Sequence, residues 1–369
     1  MGNKVESMKN DKSNFKMVFS LILFFAIFGL AESSRAANGD ELNTVQTCTA
    51  PAGVAEADAT TGWTQYFCSA FSSAEIDPQL GISHISAVAS NFGCLAKYTF
   101  PELDSSKIYK VSGYQKRASG TNTWNCFPAK LQALTVDTSD WTETSGIFKG
   151  GSSSDYVCAG TGVLAEGDTL YIDNISIKEI TPCFGSELNT SENAGAPIAN
   201  EADSTNGWHA FNSLDSLVSI SSGCAEGSYC LAATDAGSAG MVAGFSIDLG
   251  SAPFNLTDGH KYFVSYSFKH NGIGNKSWSC GFTTTNSGID DVPFAQVYNT
   301  DTAYRNIGLQ LNYSSETRYF TCQEQNPALS GGSGIYLDNF SVKEILSSAD
   351  EICGDDTTPP AVPYGLSVQ

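Results

Sequence analysis

The stretch that decides the fold occurs twice, as Gly-Asp-Thr-Leu-Tyr-Ile-Asp-Asn-Ile-Ser-Ile-Lys-Glu-Ile at residues 167–180 and as Gly-Ser-Gly-Ile-Tyr-Leu-Asp-Asn-Phe-Ser-Val-Lys-Glu-Ile at residues 332–345. From Tyr171 and Tyr336 onward, seven of ten positions are identical. The two stretches lie much farther apart than the roughly 20–50 residues of a solenoid repeat, so they indicate a duplicated domain. We expect each stretch to be the closing strand of its copy.

Other motifs repeat in the same order around this strand, which defines two modules of similar length. We expect each shared motif to occupy an equivalent place in both modules. In chain order the shared motifs are Glu-Leu-Asn-Thr (41–44 and 187–190), Glu-Ala-Asp-x-Thr-x-Gly-Trp (56–63 and 201–208), Cys-Leu-Ala (94–96 and 230–232) and a long alternating strand (109–117 and 262–270).

The composition of both modules predicts β-structure. Short segments rich in Val, Ile, Tyr, Phe and Thr are separated by clusters of Gly, Ser, Asn and Asp, which is typical of antiparallel β-sandwiches. Modules of this length fit a jelly roll of roughly eight to ten strands. We therefore predict an all-β chain of two tandem antiparallel β-sandwich domains, module 1 at residues 38–183 and module 2 at residues 184–347.

The N-terminal residues 1–36 predict an export signal. Lysines precede an apolar run at residues 17–30, which is shorter than the about 20 residues that a membrane anchor needs. The tripeptide Ser34-Arg35-Ala36 is a candidate cleavage site, with Ala31 as the alternative. We expect a secreted, extracellular protein, and a bacterial cell surface is one such location.

The C-terminus has a different composition from the modules. Residues 348–360 form a linker that ends in Thr-Thr-Pro-Pro, and residues 361–369 suit a single strand. This combination resembles the entry into a fibronectin type III domain, whose sandwich needs about seven strands. A disordered tail is the alternative interpretation.

The charge and the cysteines limit the partners and the compartment. The formal net charge of −20 disfavours nucleic acid and anionic membranes as partners. All eleven cysteines follow the export signal, which fits disulfides in an oxidising compartment, whereas the absence of Cys-x-x-Cys argues against zinc. Cys353 is left over, either free or paired beyond this chain. The predicted disulfides are Cys126–Cys158, Cys280–Cys322, Cys68–Cys94, Cys224–Cys230 and Cys48–Cys183.

The aspartate of each closing strand is a candidate metal ligand. Simple alternation places Asp173 on the same face as Ile175 and Ile177, and Asp338 on the equivalent face of the second copy. A carboxylate in an apolar row is costly unless it is paired or binds a metal. Three roles stay open, namely binding calcium, accepting hydrogen bonds from backbone amides of a neighbouring loop, and capping a turn. Calcium is the role we favour, because it prefers oxygen ligands.

Further ligands would come from the first residues of each module, because the early segment of a jelly roll returns beside the last strand. Asp58 and Asp203 occupy corresponding positions and are the first candidates. Glu41 and Glu187 are the next. Backbone carbonyl groups would complete the coordination shell.

Candidate ligand-binding side chains lie on or near the long strand of each module. Alternation turns Val264, Tyr266 and Phe268 inward, which leaves Lys269 and, in module 1, Tyr114 and Lys116 on the outer face. Four tryptophans fit the core better than a binding site, namely Trp63, Trp124, Trp208 and Trp278. The remaining one, Trp141, has Tyr304 as its nearest counterpart in module 2. The candidates for contacting a ligand are Tyr114, Trp141, Lys116 and Lys269.

The opening Glu-Leu, the Gly-Trp after an acidic turn, the Tyr-x-Val-Ser strand and the closing Tyr-Ile/Leu-Asp-Asn-x-Ser-x-Lys-Glu together resemble carbohydrate-binding modules of families 4, 9 and 22. The resemblance covers most of both copies, and its most specific motif is the last strand. It implies galactose-binding-like jelly rolls from bacterial secreted polysaccharide-degrading enzymes and surface proteins. It also implies a structural calcium near Asp173 and Asp338, and glycan binding on aromatic side chains.

The sequence favours a binding function over catalysis. Gly-x-Ser-x-Gly, His-Glu-x-x-His and phosphate-binding loops are absent, and no pair of carboxylates is singled out for glycoside hydrolysis. We predict a secreted, monomeric, non-catalytic protein whose two calcium-stabilised modules bind a polysaccharide or a cell-surface glycan. The alternatives are an adhesin or surface-structural protein with the modules as spacers, and the N-terminal targeting region of a glycoside hydrolase.

Overall fold

A computed structural model describes most of residues 40–346. The predicted export signal and the predicted C-terminal linker and strand lie outside the described residues, as do Cys48, Asp58 and Cys353. The internal ranges that are not described are 47–48, 52–53, 56–58, 76–82, 91–93, 101, 121–123, 129–133, 137–138, 152–154, 161–166, 191–193, 198–202, 213, 236–241, 275–276, 287–294, 298–299, 317 and 326–331.

All described regular elements are β-strands. Those of module 1 are β1 (Trp63–Tyr66), β2 (Cys68–Glu75), β3 (Ser83–Ala89), β4 (Leu95–Thr99), β5 (Ile108–Ser119), β6 (Trp124–Pro128), β7 (Leu134–Val136), β8 (Thr142–Lys149), β9 (Asp155–Gly160) and β10 (Thr169–Ile180). Those of module 2 are β11 (Phe184–Glu187), β12 (Trp208–Phe211), β13 (Leu214–Ile220), β14 (Cys230–Asp235), β15 (Gly244–Asp248), β16 (Lys261–His270), β17 (Ser277–Thr283), β18 (Ala295–Val297), β19 (Arg305–Asn312), β20 (Tyr319–Gln325) and β21 (Gly334–Ile345).

The strands form three antiparallel sheets. Module 1 has a five-stranded sheet of order β1-β4-β9-β6-β7, and module 2 has its equivalent of order β12-β15-β20-β17-β18. An 11-stranded sheet runs through both modules in the order β13-β14-β21-β16-β19-β8-β5-β10-β3-β2, with β11 pairing at β21. The predicted all-β sandwich fold is confirmed. Within the described part of the chain, no helix has the length and hydrophobicity that a membrane crossing needs.

Each small sheet packs on its half of the large sheet. In module 1, Trp63 and Trp124 of the small sheet belong to the same buried cluster as Val111 and Ile172 of the large sheet. Trp208 and Trp278 are buried in the equivalent way in module 2, so the four tryptophans expected in the core are there. The other face of the large sheet, called the outer face below, is turned away from both cores.

The closing strands β10 and β21 contain a β-bulge directly after the aspartate. Asn174 and Asn339 have φ angles of 50° and 52°, and the pairing of β10 with β5 shifts register between Asp173 and Ser176. Asparagine tolerates this left-handed conformation better than most residues do. Because the bulge resets the alternation, residues on both sides of it can point into the core.

The bulge changes the position of the aspartates. Ile172, Ile175 and Ile177 belong to the core cluster, whereas Asp173 follows Ile172 in the strand and pairs with Tyr114, which places it on the outer face. The predicted common face of Asp173, Ile175 and Ile177 is therefore wrong. Asp338 is displaced in the same way, because the bulge at Asn339 precedes the core residue Phe340.

The Glu-Leu-Asn motif at the start of module 1 forms hydrogen bonds with the residues around the bulge, and these hydrogen bonds are called the clasp below. Glu41 Oε1 accepts hydrogen bonds from the backbone N–H groups of Asn43 (2.8 Å) and Ile177 (2.9 Å), and its Oε2 accepts one from the Ser176 hydroxyl (2.5 Å). The Asn43 side-chain amide donates to the carbonyl oxygen of Ile175 at 2.6 Å. The clasp thus provides partners for backbone groups around the irregular step of the ladder.

The same clasp exists in module 2. Glu187 accepts from the backbone N–H groups of Asn189 and Val342 at 2.9 Å each and from the Ser341 hydroxyl at 2.5 Å. The Asn189 side chain donates to the carbonyl oxygen of Phe340 at 2.6 Å. The expectation that the early segment returns beside the last strand is therefore confirmed.

The structure corrects one part of the alignment between the modules. Cys94 leads into β4, which pairs with β1 and β9 of the small sheet, whereas Cys230 begins β14, which pairs with β21 of the large sheet. The repeated Cys-Leu-Ala motif therefore does not mark equivalent strands. By register, the module 1 residue equivalent to Cys230 is His84 on β3.

Disulfides link neighbouring segments in each module. Cys126 pairs directly with Cys158 across β6 and β9, and Cys280 pairs directly with Cys322 across β17 and β20. Cys183 is also disulfide-bonded, and its predicted partner Cys48 lies outside the described residues. The disulfides with both partners described are Cys68–Cys94, Cys126–Cys158, Cys224–Cys230 and Cys280–Cys322.

The two modules join edge to edge through β8 and β19, where Phe148 pairs with Leu309. The approach is close, because a Cβ atom at Gly308 would lie 2.9 Å from Lys149 Cβ across the junction. On the outer face, a separate apolar cluster covers the junction with residues of both modules. Its buried members are Ile147, Ile180 and Phe263, and Ile108, Phe184 and Ile345 pack against them.

The clasp predicts a specific loss of stability. Glu187→Ala should lower the free energy of unfolding by about 2 kcal/mol, because the Val342 N–H and the Ser341 hydroxyl lose their acceptor. Urea unfolding of the mature chain measures this change. Glu316→Ala, at an exposed acidic position of the same module, is the control and should change little. Equal stability of the two variants would contradict a stabilising clasp.

Candidate functional site

A lysine and two aromatic rings come together on the outer face of module 1. Lys116 Nζ lies 4.8 Å from the ring centroid of Trp141 and 5.7 Å from that of Tyr171. The imidazole of His84 packs on the same group, with its centroid 4.2 Å from that of Tyr171 and 6.0 Å from that of Trp141. We call Lys116, Trp141, Tyr171 and His84 the module 1 cluster.

Module 2 carries an equivalent group. Lys269 Nζ lies 4.4 Å from the ring centroid of Tyr304 and 5.0 Å from that of Tyr336. The registers agree, because Lys116 pairs with Tyr171 on β5 and β10, and Lys269 pairs with Tyr336 on β16 and β21. We call Lys269, Tyr304 and Tyr336 the module 2 cluster.

The sheet geometry explains both clusters. Residues directly opposite on antiparallel strands have neighbouring side chains, so the lysine of the long strand reaches the tyrosine of the closing strand. Trp141 immediately precedes β8, and Tyr304 immediately precedes β19. β8 and β19 pair with the long strands β5 and β16, which carry the lysines. An ammonium group over an aromatic face is attracted by the ring quadrupole, which helps to order the lysine.

Polar groups flank the module 1 cluster. Asp173 pairs with Tyr114 across β10 and β5 and is only 2% exposed, and its Oδ1 accepts a hydrogen bond from the Asn174 backbone N–H at 2.6 Å. The Tyr114 hydroxyl lies 3.4 Å from Glu143 Oε2. Partial burial and the nearby Glu143 carboxylate raise the pKa of Tyr114, so this phenol keeps its proton at neutral pH. The outer face of module 1 therefore offers aromatic surface next to hydrogen-bonding groups of both kinds.

In module 2 the loop between β13 and β14 forms hydrogen bonds with the aspartate and the lysine that correspond to Asp173 and Lys116. Asp338 is fully buried, and its Oδ2 accepts hydrogen bonds from the backbone N–H groups of Ala225 (2.7 Å) and Glu226 (3.0 Å). Its Oδ1 accepts a third from the Asn339 N–H at 2.8 Å. Lys269 Nζ donates to the carbonyl oxygen of Gly223 at 2.7 Å. The aspartate of module 2 thus plays the second role that the sequence left open.

The predicted ligand-contacting residues divide between the two modules. Tyr114, Trp141 and Lys116 lie together in module 1, and Lys269 lies in the equivalent place in module 2. Sequence reasoning missed Tyr171, Tyr336 and His84. The two tyrosines stand in the most strongly repeated motif, which is the signal that could have singled them out.

Three of the predicted calcium ligands accept hydrogen bonds from groups of the protein. Asp338, Glu41 and Glu187 each use both oxygens to accept from backbone N–H groups or hydroxyls, whereas calcium needs six to eight oxygen ligands. Asp203 is exposed. Among the described residues, the single group of three potential metal ligands is Cys224, Cys230 and Asp338, in which the two sulfurs form a disulfide. Calcium binding stays a prediction.

Comparisons with known proteins leave the ligand open. No family model matches the sequence, and no curated protein matches it. The solved structures similar to this chain include the N-terminal CBM22-1–CBM22-2 tandem domain of Paenibacillus barcinonensis Xyn10C, with a TM-score of 0.30, 13% identity and coverage of 84% of this chain and 99% of that chain.

Two further similar structures cover smaller parts of this chain. The CBM22-1 xylan-binding domain of the same Paenibacillus protein has a TM-score of 0.32 and 14% identity, covering 44% of this chain and 97% of that one. The N-terminal cellulose-binding domain of Cellulomonas fimi β-1,4-glucanase C has a TM-score of 0.24 and 13% identity, covering 34% and 93%. At these TM-scores no residue role or ligand is carried over to this chain.

A melting experiment separates the two roles of the acidic residues. If Asp338 and Glu187 act only as hydrogen-bond acceptors, adding calcium or a chelator should leave the melting temperature of the mature chain unchanged. Circular dichroism with and without 1,2-bis(o-aminophenoxy)ethane-tetraacetate measures this. A rise with calcium that disappears in Asp338→Asn would instead support the metal prediction.

Proposed function

We propose that this chain is an exported, non-catalytic glycan-binding protein and that the module 1 cluster is its binding site. The observation that carries the proposal is the partly exposed Trp141 beside Tyr171 and Lys116 on the outer face of the large sheet. The sequence resemblance to carbohydrate-binding modules supports the same class of ligand. The disulfides agree with an oxidising, extracellular compartment.

The chemistry of the site suits a sugar. A pyranose ring has an apolar C–H face that packs on an aromatic ring, and its rim of hydroxyl groups needs donors and acceptors. Trp141 and Tyr171 supply the aromatic surface. The Lys116 ammonium group donates, the Glu143 carboxylate accepts and the Tyr114 hydroxyl does either. A polysaccharide is the preferred ligand because the outer face continues across several strands on both sides of the cluster.

A surface-structural or adhesive role is the second candidate. The junction favours it, because a shared sheet, the apolar cluster around Ile147 and Phe263 and a short connection between β10 and β11 hold the modules together. A rigid pair of this kind serves as a spacer whether or not it binds sugar. A targeting role within a longer glycoside hydrolase is compatible with the first proposal, since it uses the same binding site.

Affinity electrophoresis tests the glycan proposal. The mature chain should be retarded in gels cast with at least one of a set of soluble and insoluble polysaccharides. Trp141→Ala should weaken this binding about tenfold or more, because a stacked ring is worth roughly 1.4 kcal/mol. Tyr66→Ala is the matched control, since Tyr66 is exposed but lies on the small sheet of module 1.

The outcomes distinguish the candidates. Unretarded migration of the wild-type chain in every gel would favour the spacer or adhesin. Equal retardation of the wild-type chain and Trp141→Ala, with folding verified by near-ultraviolet circular dichroism, would place the glycan site away from the module 1 cluster.

A further inference from the structure

The loop of residues 221–229, which joins β13 to β14, lies over the module 2 cluster and is called the cap loop here. Its backbone approaches both polar groups of the site. The carbonyl oxygen of Gly223 accepts from Lys269 Nζ at 2.7 Å, and the N–H groups of Ala225 and Glu226 donate to Asp338 Oδ2 at 2.7 and 3.0 Å. Hydrogen bonds with one charged partner are stronger than those between neutral groups, so these contacts favour the closed position.

A covalent tether holds the cap loop in place. Cys224 within the loop is bonded to Cys230 at the start of β14, a sequence separation of only 6 residues. The Tyr304 hydroxyl lies 3.7 Å from the Cys230 sulfur, which connects the tether to the module 2 cluster. Tyr304 is largely enclosed, and burial together with Asp338 and Tyr336 raises its pKa. The tether leaves the loop few alternative conformations, so little entropy opposes closure.

We propose that the module 2 cluster is a second sugar-binding site that the cap loop keeps closed by occupying it in place of a ligand. The class of ligand rests on the function proposed for module 1, because the lysine, the aromatic row and the aspartate are equivalent by register. The contacts of the loop also specify the chemistry. A replacing ligand must present one acceptor oxygen to Lys269 and one or two donors to Asp338.

Neighbouring hydroxyl groups of a neutral sugar meet this requirement. One hydroxyl oxygen accepts from the ammonium group while an adjacent hydroxyl donates to the carboxylate. A ligand that offers only acceptors, such as a phosphate or a carboxylate, would leave the buried Oδ2 of Asp338 without the two donors that the loop supplies, which is costly. The site of module 2 is therefore selective for polyhydroxylated, uncharged groups.

Module 1 lacks the same tether. The residue equivalent to Cys230 is His84, and the connection from β2 to β3, residues 76–82, contains no cysteine. An identical disulfide-held cap cannot form there. The two modules consequently differ in how their equivalent sites are controlled, although their lysine–aromatic clusters match.

Chemical labelling of Lys269 tests the closure without any sugar. In the wild-type mature chain, acetic anhydride should acetylate Lys269 about tenfold more slowly than the exposed Lys261, because Gly223 of the cap loop holds the Lys269 ammonium group. Peptide mass spectrometry measures both rates in one sample. In Cys224→Ala/Cys230→Ala the difference should fall to about threefold or less. Equally fast labelling of Lys269 and Lys261 in the wild-type chain would overturn the proposal.

A second variant guards against misfolding of the first. Ile220 pairs with Cys230 across β13 and β14, so an Asn-Gly turn can replace residues 221–229 in a tight hairpin, combined with Cys230→Ala. This variant lacks the cap loop altogether and should label Lys269 as fast as Lys261. Slow labelling of Lys269 in this variant would overturn the assignment of the protection to the loop.

Binding by the opened site is measured in the Trp141→Ala background, where the module 1 site is disabled. There the cap-loop replacement should restore retardation by a neutral polysaccharide that retards the wild-type chain, and Lys269→Met should abolish it again. Fast labelling of Lys269 with no restored retardation would overturn module 2 as a sugar site. If no polysaccharide retards even the wild-type chain, the proposed function fails and the ligand class falls with it, while the labelling result still decides whether the loop closes the cluster.

Discussion

The rest of the structure depends on the bulge in each closing strand and on the clasp that supports it. A left-handed asparagine lets apolar residues on both sides of the bulge enter the core, while the preceding aspartate turns to the outer face. The irregular ladder leaves backbone groups that need partners, and Glu41 and Glu187 supply them. The start of each module is thereby fixed to its end, and a carboxylate is placed beside the lysine–aromatic cluster.

The junction of the modules converts two sandwiches into one unit. Pairing of β8 with β19 removes two sheet edges that would otherwise be exposed, which protects each sandwich from unwanted strand pairing. The apolar cluster around Ile147 and Phe263 shields this seam on the outer face. Both candidate sites consequently stand on one continuous sheet, so their separation is set by packing and not by a flexible linker.

The two copies of the duplicated domain carry equivalent clusters that differ in how access to them is controlled. Lysine, aromatic ring and aspartate keep their register in both copies, because the pairing of the long strand with the closing strand fixes them. What differs is the position on the neighbouring strand, where one copy has His84 and the other has Cys230. The disulfide that holds a loop over the cluster needs Cys224 together with Cys230, and module 1 has a cysteine at neither place.

The sequence by itself determined the duplication, the all-β class, the tryptophans of the core and the outward direction of Tyr114, Lys116 and Lys269, because these follow from local periodicity and from comparing the copies. Only the tertiary structure decided the rest. Alternation cannot foresee a bulge, so the face of Asp173 was misjudged. The match of Cys94 with Cys230 failed because short identical motifs can lie in different sheets. The loop over Lys269 depends on contacts between residues far apart in the chain, which no local pattern encodes.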